Sequence, residues 1–190
     1  MAKLILISGP PRSGKDELAK HIANNFPYEL VKFAAPIELS LKAFFCMDAD
    51  EFRIRRNALK DDPWPFVGGK TFRNVMQSFS EDWAKQYGKD IFGRIAAKRV
   101  REAMSGGLTH FVFSDCGFSE ELPPVMQLFN AADIVLVKLF REGTTYVGDT
   151  RNYPIIEGRF ADCDVLNYTN NGSLDHLWAF ADRLVDEDML

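Results

Sequence analysis

The chain has 190 residues, of which 46% are hydrophobic and 26% charged, with a net charge of −4. That profile suits one globular domain with its own core and excludes a disordered, low-complexity or collagen-like chain. No apolar run approaches the ~20 residues of a membrane-spanning helix, and "LILI" meets "SGPP" too early for a signal peptide. Cys46, Cys116 and Cys163 lie far apart, which is neither a disulfide framework nor a metal-ligand pattern, so a reducing cytoplasm is expected. The charge is uneven: Arg53 to Arg101 holds twelve Lys or Arg against five Asp or Glu, a net +7, and the rest carries −11. A basic middle segment can steer an anionic partner, although many such charges only solvate helix faces.

In chain order, "KLILIS" is a short apolar run that stops at glycine and proline, the pattern of a buried parallel strand. "KDELAKHIANNF" has helical spacing, with Leu18, Ala19, Ile22 and Ala23 on one side, and "ELVKF" reads as a second strand. "PIELSLKAFF" is a helix with Pro36 in its first turn, and "DADEFRIRRNALK" a short one. "DDPWPFVGGK" is a loop, because two prolines and a Gly-Gly pair interrupt any element.

"KTFRNVMQSFSEDWAKQYG" predicts a long helix capped by Thr71, with Phe72, Val75, Met76, Phe79 and Trp83 on one apolar stripe. "DIFGRIAAKRVREAM" predicts another helix, closed by Gly106 and Gly107. "THFVFSD", "DIVLVKLF" and "DVLNYT" are strands. Ser119 is a candidate cap for the helix between the first two, and Ser173 caps "LDHLWAFADRLV" after an "NNG" turn. Strands alternating with helices imply a parallel α/β sheet of about five strands with right-handed crossovers. The helical stretch from about 36 to 105 reads as an insertion in a single domain spanning 1–190, set to cover an acceptor site.

The chemistry concentrates in "GPPRSGKD", Gly9 to Asp16, which fits G-x-x-x-x-G-K-[ST] except at its last position. Gly9 and Gly14 permit a turn running from Gly9 and Pro10 through Arg12 and Ser13 to Gly14 and Lys15, in which several backbone N–H groups, though not that of Pro10, which has none, converge on a phosphate at a helix N-terminus. Lys15 reaches the outer phosphates of a triphosphate such as ATP. Asp16 replaces the usual hydroxyl; a carboxylate also suits Mg²⁺, directly or through water. The loop follows a predicted strand and opens a predicted helix, the context that this mechanism requires.

"RSGKD" after an N-terminal strand resembles the deoxynucleoside monophosphate kinases of tailed phages, and the P-loop phosphomevalonate kinases look similar at this stretch. "RNVMQ" (Arg73 to Gln77), "FVFSD" (Phe111 to Asp115) and "NNGSLDHL" (Asn170 to Leu177) resemble further phage-family segments in the same order. The resemblance implies a P-loop NTPase fold of the nucleoside-monophosphate-kinase type that moves the γ-phosphoryl of ATP with Mg²⁺, in the host cytoplasm if the chain is phage-encoded. It places Lys15 and Asp16 on the donor side, Arg73 and Gln77 in an acceptor pocket, and Arg141 and Arg151 in a lid region of about 141–160. Asp115 ends a strand at the carboxyl edge, where it can hold Mg²⁺ through water or accept a proton.

The phage kinases commonly carry Asp-x-Arg after that strand, whereas this chain reads "DCGF", with Gly117 in place of the arginine. Arg73, Lys70 or a lid arginine must then hold the acceptor phosphate. The alternative acceptor is the hydroxymethyl group of 5-hydroxymethyluracil in DNA, which calls for a basic surface bearing aromatics such as Trp64 and Phe66. A non-catalytic nucleotide-binding module is the third reading. The sequence leaves the oligomeric state open, a homodimer included.

Overall fold

Five parallel strands form one sheet in the order β2–β3–β1–β4–β5. The strands are β1 (Lys3–Ser8), β2 (Glu29–Val31), β3 (His110–Phe113), β4 (Ile134–Phe140) and β5 (Asp164–Thr169). The helices are α1 (Lys15–Asn25), α2 (Ala35–Phe44), α3 (Ala49–Asn57), α4 (Phe72–Tyr87), α5 (Ile91–Ser105), α6 (Leu122–Met126) and α7 (Leu174–Val185). The structure is a computed structural model and describes residues 2–186. No helix among the described residues is long and apolar enough to cross a membrane.

The chain divides into two units, Met1–Phe33 with Gly93–Leu190, and Ala34–Phe92. The first holds the whole sheet. β1 is central, with Leu4 to Ile7 all at most 1% exposed, because a parallel strand between two others is covered on both faces. Successive side chains alternate across the sheet. Ile5 and Ile7 join Val112, Val135 and Val137 in a core with Leu18 and Ile22 of α1 and Leu177, Phe180 and Leu184 of α7. On the other side, α5 and α6 bring buried Ala96, Ala97, Val100, Leu122, Val125 and Met126. The second unit ends before Gly93, earlier than the insertion expected to run to 105, because these α5 residues are buried with the sheet's unit.

The second unit is built around aromatics. Phe72 is fully buried, and the rings of Phe52 and Trp64 lie 6.1 and 6.2 Å from it. Thr71 caps α4 with a reciprocal capping box to Asn74. Of the apolar stripe predicted on α4, only Phe72 is fully buried; Val75, Met76 and Phe79 are half-buried, Phe79 stacks on Trp83, which is 39% exposed, and Tyr87 lies tilted against Trp83. Ser119 does not cap α6: Pro123 occupies the first turn of that helix, and the Ser119 hydroxyl accepts the Ile155 N–H at 2.9 Å. Ser173 caps α7 through the His176 N–H.

Gly93 in α5 sits where a Cβ would stand 2.2 Å from the backbone carbonyl oxygen of Glu121. A Gly-to-Ala change in a helix ordinarily stabilises by about 1 kcal/mol. Here rigid backbone stands in the way, so Gly93→Ala is expected to destabilise by about 1–3 kcal/mol. A urea-denaturation midpoint at or above that of the unsubstituted protein would show that the two segments separate freely.

Candidate functional site

The carboxyl ends of the strands gather most of the polar residues singled out above. The loop after β1 turns tightly, with the Ser13 N–H donating to the Pro10 carbonyl at 3.2 Å. Gly14 begins α1 in the left-handed region at φ 99°, and its missing Cβ leaves room for the Asn170 amide, which would otherwise lie 2.4 Å away. That amide donates to the Ser13 carbonyl at 2.8 Å. Arg12 is also left-handed, at φ 67°, a conformation that L-residues adopt at a cost of about 1–2 kcal/mol.

Two features of the loop fit an anion. The Ser13 hydroxyl is fully buried and has no hydrogen-bond partner, which costs about 1–3 kcal/mol unless a ligand fills the gap. Lys15 is 8% exposed and its ammonium donates only to the loop's own Pro10 carbonyl, at 3.2 Å, among the hydrogen bonds seen. Burial lowers the Lys15 pKa against the pull of Asp16, and nearby Arg151 lowers it further. Cations that weaken one another in this way gain most from a polyanion placed between them.

Asp16 joins three elements. Its Oδ1 accepts from the Lys32 ammonium just after β2, at 3.1 Å, and from the Ser114 hydroxyl just after β3, at 3.0 Å. Burial raises its pKa, but Lys32, Lys15 and these two hydrogen bonds outweigh burial, so the carboxyl titrates below its ordinary range. Asp115 accepts the Phe33 N–H at 3.1 Å, tying the ends of β2 and β3 together. Among the described residues no three His, Cys, Asp or Glu side chains are grouped to hold a metal. The set fits Mg²⁺ nonetheless, since that ion takes one or two carboxylates and completes its shell with water and phosphate oxygens.

The segment from 141 to 155 lies on this edge. Arg141 donates to the Arg12 carbonyl at a long 3.5 Å. The Tyr146 hydroxyl is 3.2 Å from that of Ser8, and Tyr153 donates to the Leu139 carbonyl at 2.6 Å. The Arg151 guanidinium grips the Asp149 carboxylate with Nε and Nη2. Its stem fills the space above Gly117, where a Cβ would meet Arg151 Cδ, Cγ and Cβ at 2.7, 2.8 and 2.9 Å. The position that lacks an arginine in sequence therefore carries one in space.

The acceptor-side residues are placed differently from the sequence expectation. Trp64 is 6% exposed, with Phe66 stacked at 5.6 Å and the Arg55 guanidinium 4.7 Å over its ring. It is core in this unit rather than an open stacking surface, because the loop folds back through the Trp64 N–H to the Lys70 carbonyl. Phe66 is the exposed ring, at 74%. Arg73 is engaged by both oxygens of Asp61. Lys70 lines a recess of about 370 Å³ with Phe44, Phe45, Phe79, Ser78 and Asp82. Gln77 is half-buried on α4 and does not line it.

Sequence reading missed Lys32, Ser114, Asn170, Asp149, Tyr146 and Glu121. The signal for the first three was a polar residue directly after a parallel strand. The others lie in irregular segments and show no pattern. Glu121 is 6% exposed, and burial, with Asp115 and Glu120 adding to it and Arg151 opposing, raises its pKa to about 8.

No family model matches the chain, and neither does any curated protein. Among solved structures, an unliganded sugar kinase from Janibacter sp. HTCC2649 is similar at a TM-score of 0.53 and 12% identity, over 100% of this chain and 97% of that one. A proposed kinase from Chloroflexus aurantiacus J-10-fl is similar at a TM-score of 0.48 and 11% identity, over 96% and 94%. At these identities the first likeness shows the fold: a parallel α/β sheet flanked by helices, shared with a kinase.

Glu121 gives this site a pH signature. In the fold it binds its proton up to about pH 8, against an ordinary value of 4.5. The folded state thus holds more protons than the unfolded chain in that window, and stability falls as pH rises through it. Glu121→Gln is expected to flatten that slope and to be more stable than the unsubstituted protein at pH 8. Denaturation midpoints from pH 5 to 9 check this, and parallel profiles for the two proteins would contradict it.

Proposed function

We propose that the protein is an ATP-dependent phosphotransferase that acts on a deoxynucleotide, converting a deoxynucleoside monophosphate to the diphosphate. The observation that carries this reading is the loop itself: a buried lysine and an orphaned serine hydroxyl at the start of a helix, at the carboxyl edge of a parallel sheet. Such an edge is where ligands bind in open α/β folds. Phosphoryl transfer asks mainly for positioning and charge neutralisation, and little covalent chemistry.

Each residue then has a defined task. The backbone from Gly9 to Gly14 and the Lys15 ammonium hold the triphosphate of the donor. Arg151 and Arg141 present guanidinium groups to phosphate oxygens. Asp16, with Asp115 nearby, would hold Mg²⁺, which would neutralise charge on the phosphates. A phosphate acceptor needs no strong base, whereas a hydroxyl acceptor would require Asp115 to take its proton.

The second unit supports a free nucleotide. Its recess of about 370 Å³, with three Phe rings and Lys70, Ser78 and Asp82, has the size and lining of a small-ligand pocket. A second reading, a kinase of hydroxymethylated bases in DNA, is favoured by exposed Phe66 and the Phe79–Trp83–Tyr87 stack within the basic segment.

With labelled ATP and Mg²⁺, label is expected in a free deoxynucleoside diphosphate when each monophosphate is offered in turn. Label retained on DNA containing 5-hydroxymethyluracil, with activity falling steeply in salt, selects the second reading. ATP binding without transfer to either leaves a binding module. Lys15→Ala is expected to lower turnover by about a hundredfold or more with the fold intact by circular dichroism, and near-normal turnover in that variant overturns the donor assignment.

A further inference from the structure

Gly117 does not need to be glycine for its backbone, since its φ lies outside the left-handed region where glycine is favoured. It needs to be glycine for room. Three stem atoms of Arg151 lie within 2.9 Å of where its Cβ would be, and one of them is the Arg151 Cβ, which no rotamer change can move away. The Gly117 carbonyl also accepts the Asn152 N–H at 3.0 Å, fixing the backbone beside Arg151. From the other direction, Asp149 Oδ1 accepts both the Arg151 backbone N–H, at 3.0 Å, and Nε, at 2.9 Å, while Oδ2 accepts from Nη2. Gly117 thus bounds the stem, and Asp149 holds both the backbone N–H and one edge of the fork.

This degree of restraint has a use only if the guanidinium has a task. Arg151 lies within electrostatic reach of Lys15 and Asp115, and its side chain is 25% exposed, so the head is partly open to a ligand. In the loop that carries Lys15, the buried Ser13 hydroxyl lacks a partner. An arginine fork engaged along its Nε–Nη2 edge still has Nη1 N–H groups directed along the other edge, and a second oxyanion can be taken there.

We infer that Gly117 is a positioning residue for phosphoryl transfer: by lacking a side chain it seats the Arg151 stem, so that the guanidinium, held along one edge by Asp149, meets phosphate oxygens together with Lys15. The inference rests on the phosphotransferase reading and assigns the phosphate clamp of that same site to a pair from two distant segments. A clamp that acts on the phosphate in flight affects turnover more than donor affinity.

The test compares the unsubstituted protein with Gly117→Ala, Arg151→Gly and the double variant. In Gly117→Ala, kcat is expected to fall about a hundredfold, as for a misplaced charge, with KM for ATP within about twofold. The Nε–H resonance of Arg151, paired with Asp149, is expected to shift or vanish in the ¹⁵N spectrum. Arg151→Gly removes every contacting stem atom, so adding Gly117→Ala to it should cost nothing more.

Retention of the Nε–H signal in Gly117→Ala, turnover within about threefold of the unsubstituted protein, or independent losses that multiply in the double variant would each overturn the inference. If Gly117→Ala alone does not fold, the double variant should, and an unfolded double variant also overturns it. Failure of the unsubstituted protein to bind ATP would remove the proposed function instead, and the Nε–H comparison would still decide whether Gly117 seats Arg151.

Discussion

The site depends on the contact between Asn170, Ser13 and Gly14. The Asn170 amide donates to the Ser13 carbonyl in a buried setting, and only a glycine at 14 leaves space for it. The Asn170 backbone N–H meanwhile goes to the Phe140 carbonyl at 2.7 Å. One residue at the end of β5 therefore fixes both the Gly9–Gly14 loop after β1 and the end of β4, from which the segment carrying Arg141, Tyr146 and Arg151 departs. A buried amide or carbonyl left without its partner costs about 1–3 kcal/mol. The loop is held in its strained left-handed turns by that penalty and by the core under α1 and α7.

Charge balance explains why Asp16 is acceptable where a hydroxyl is usual. Lys15, Lys32 and Arg151 meet at this edge with Asp16, Asp115 and Glu121. Glu121 stays protonated up to about pH 8, so near neutral pH Lys15, Lys32 and Arg151 balance Asp16, Asp115 and Asp149 rather than face a fourth carboxylate. That balance avoids a net negative charge that would repel a polyanionic ligand. A serine at 16 would still face Ser114 but would leave the partly buried Lys32 ammonium without its carboxylate. The acidic residue is thus tied to a lysine just after β2.

The sheet was legible because β1, β3 and β4 are short apolar runs with polar or turn residues at their ends, a pattern that needs no tertiary information. The longer helices were legible from their apolar periodicity, and Thr71 and Ser173 announced two of their starts. What failed was anything that depends on a distant segment. Ser119 looked like a cap, yet its hydroxyl is used by Ile155. Trp64 looked loop-exposed, yet the chain returns over it. The α4 stripe has core spacing, but periodicity says only which residues share a face, and this face is fully buried only at Phe72 and half-buried at Val75, Met76 and Phe79. Gly117 read as a loss because the residue that fills its place, Arg151, arrives from another loop.

The same logic bears on the acceptor. Exposed aromatics alone do not define a nucleic-acid surface. Phe79 stacks on Trp83 at 5.6 Å between centroids and Tyr87 lies tilted against Trp83 at 5.0 Å, so part of the Phe79 and Trp83 ring faces is already occupied. Arg73 is committed to Asp61. A strand-binding surface needs cations and ring faces open in series along a groove. A recess with three Phe rings, one lysine and one aspartate needs only a single planar ligand to satisfy it. An aspartate in that lining discourages a run of phosphates and accepts a hydrogen bond from a base edge or a sugar hydroxyl. The lining of this recess therefore supports the proposed single-nucleotide acceptor over a polymer.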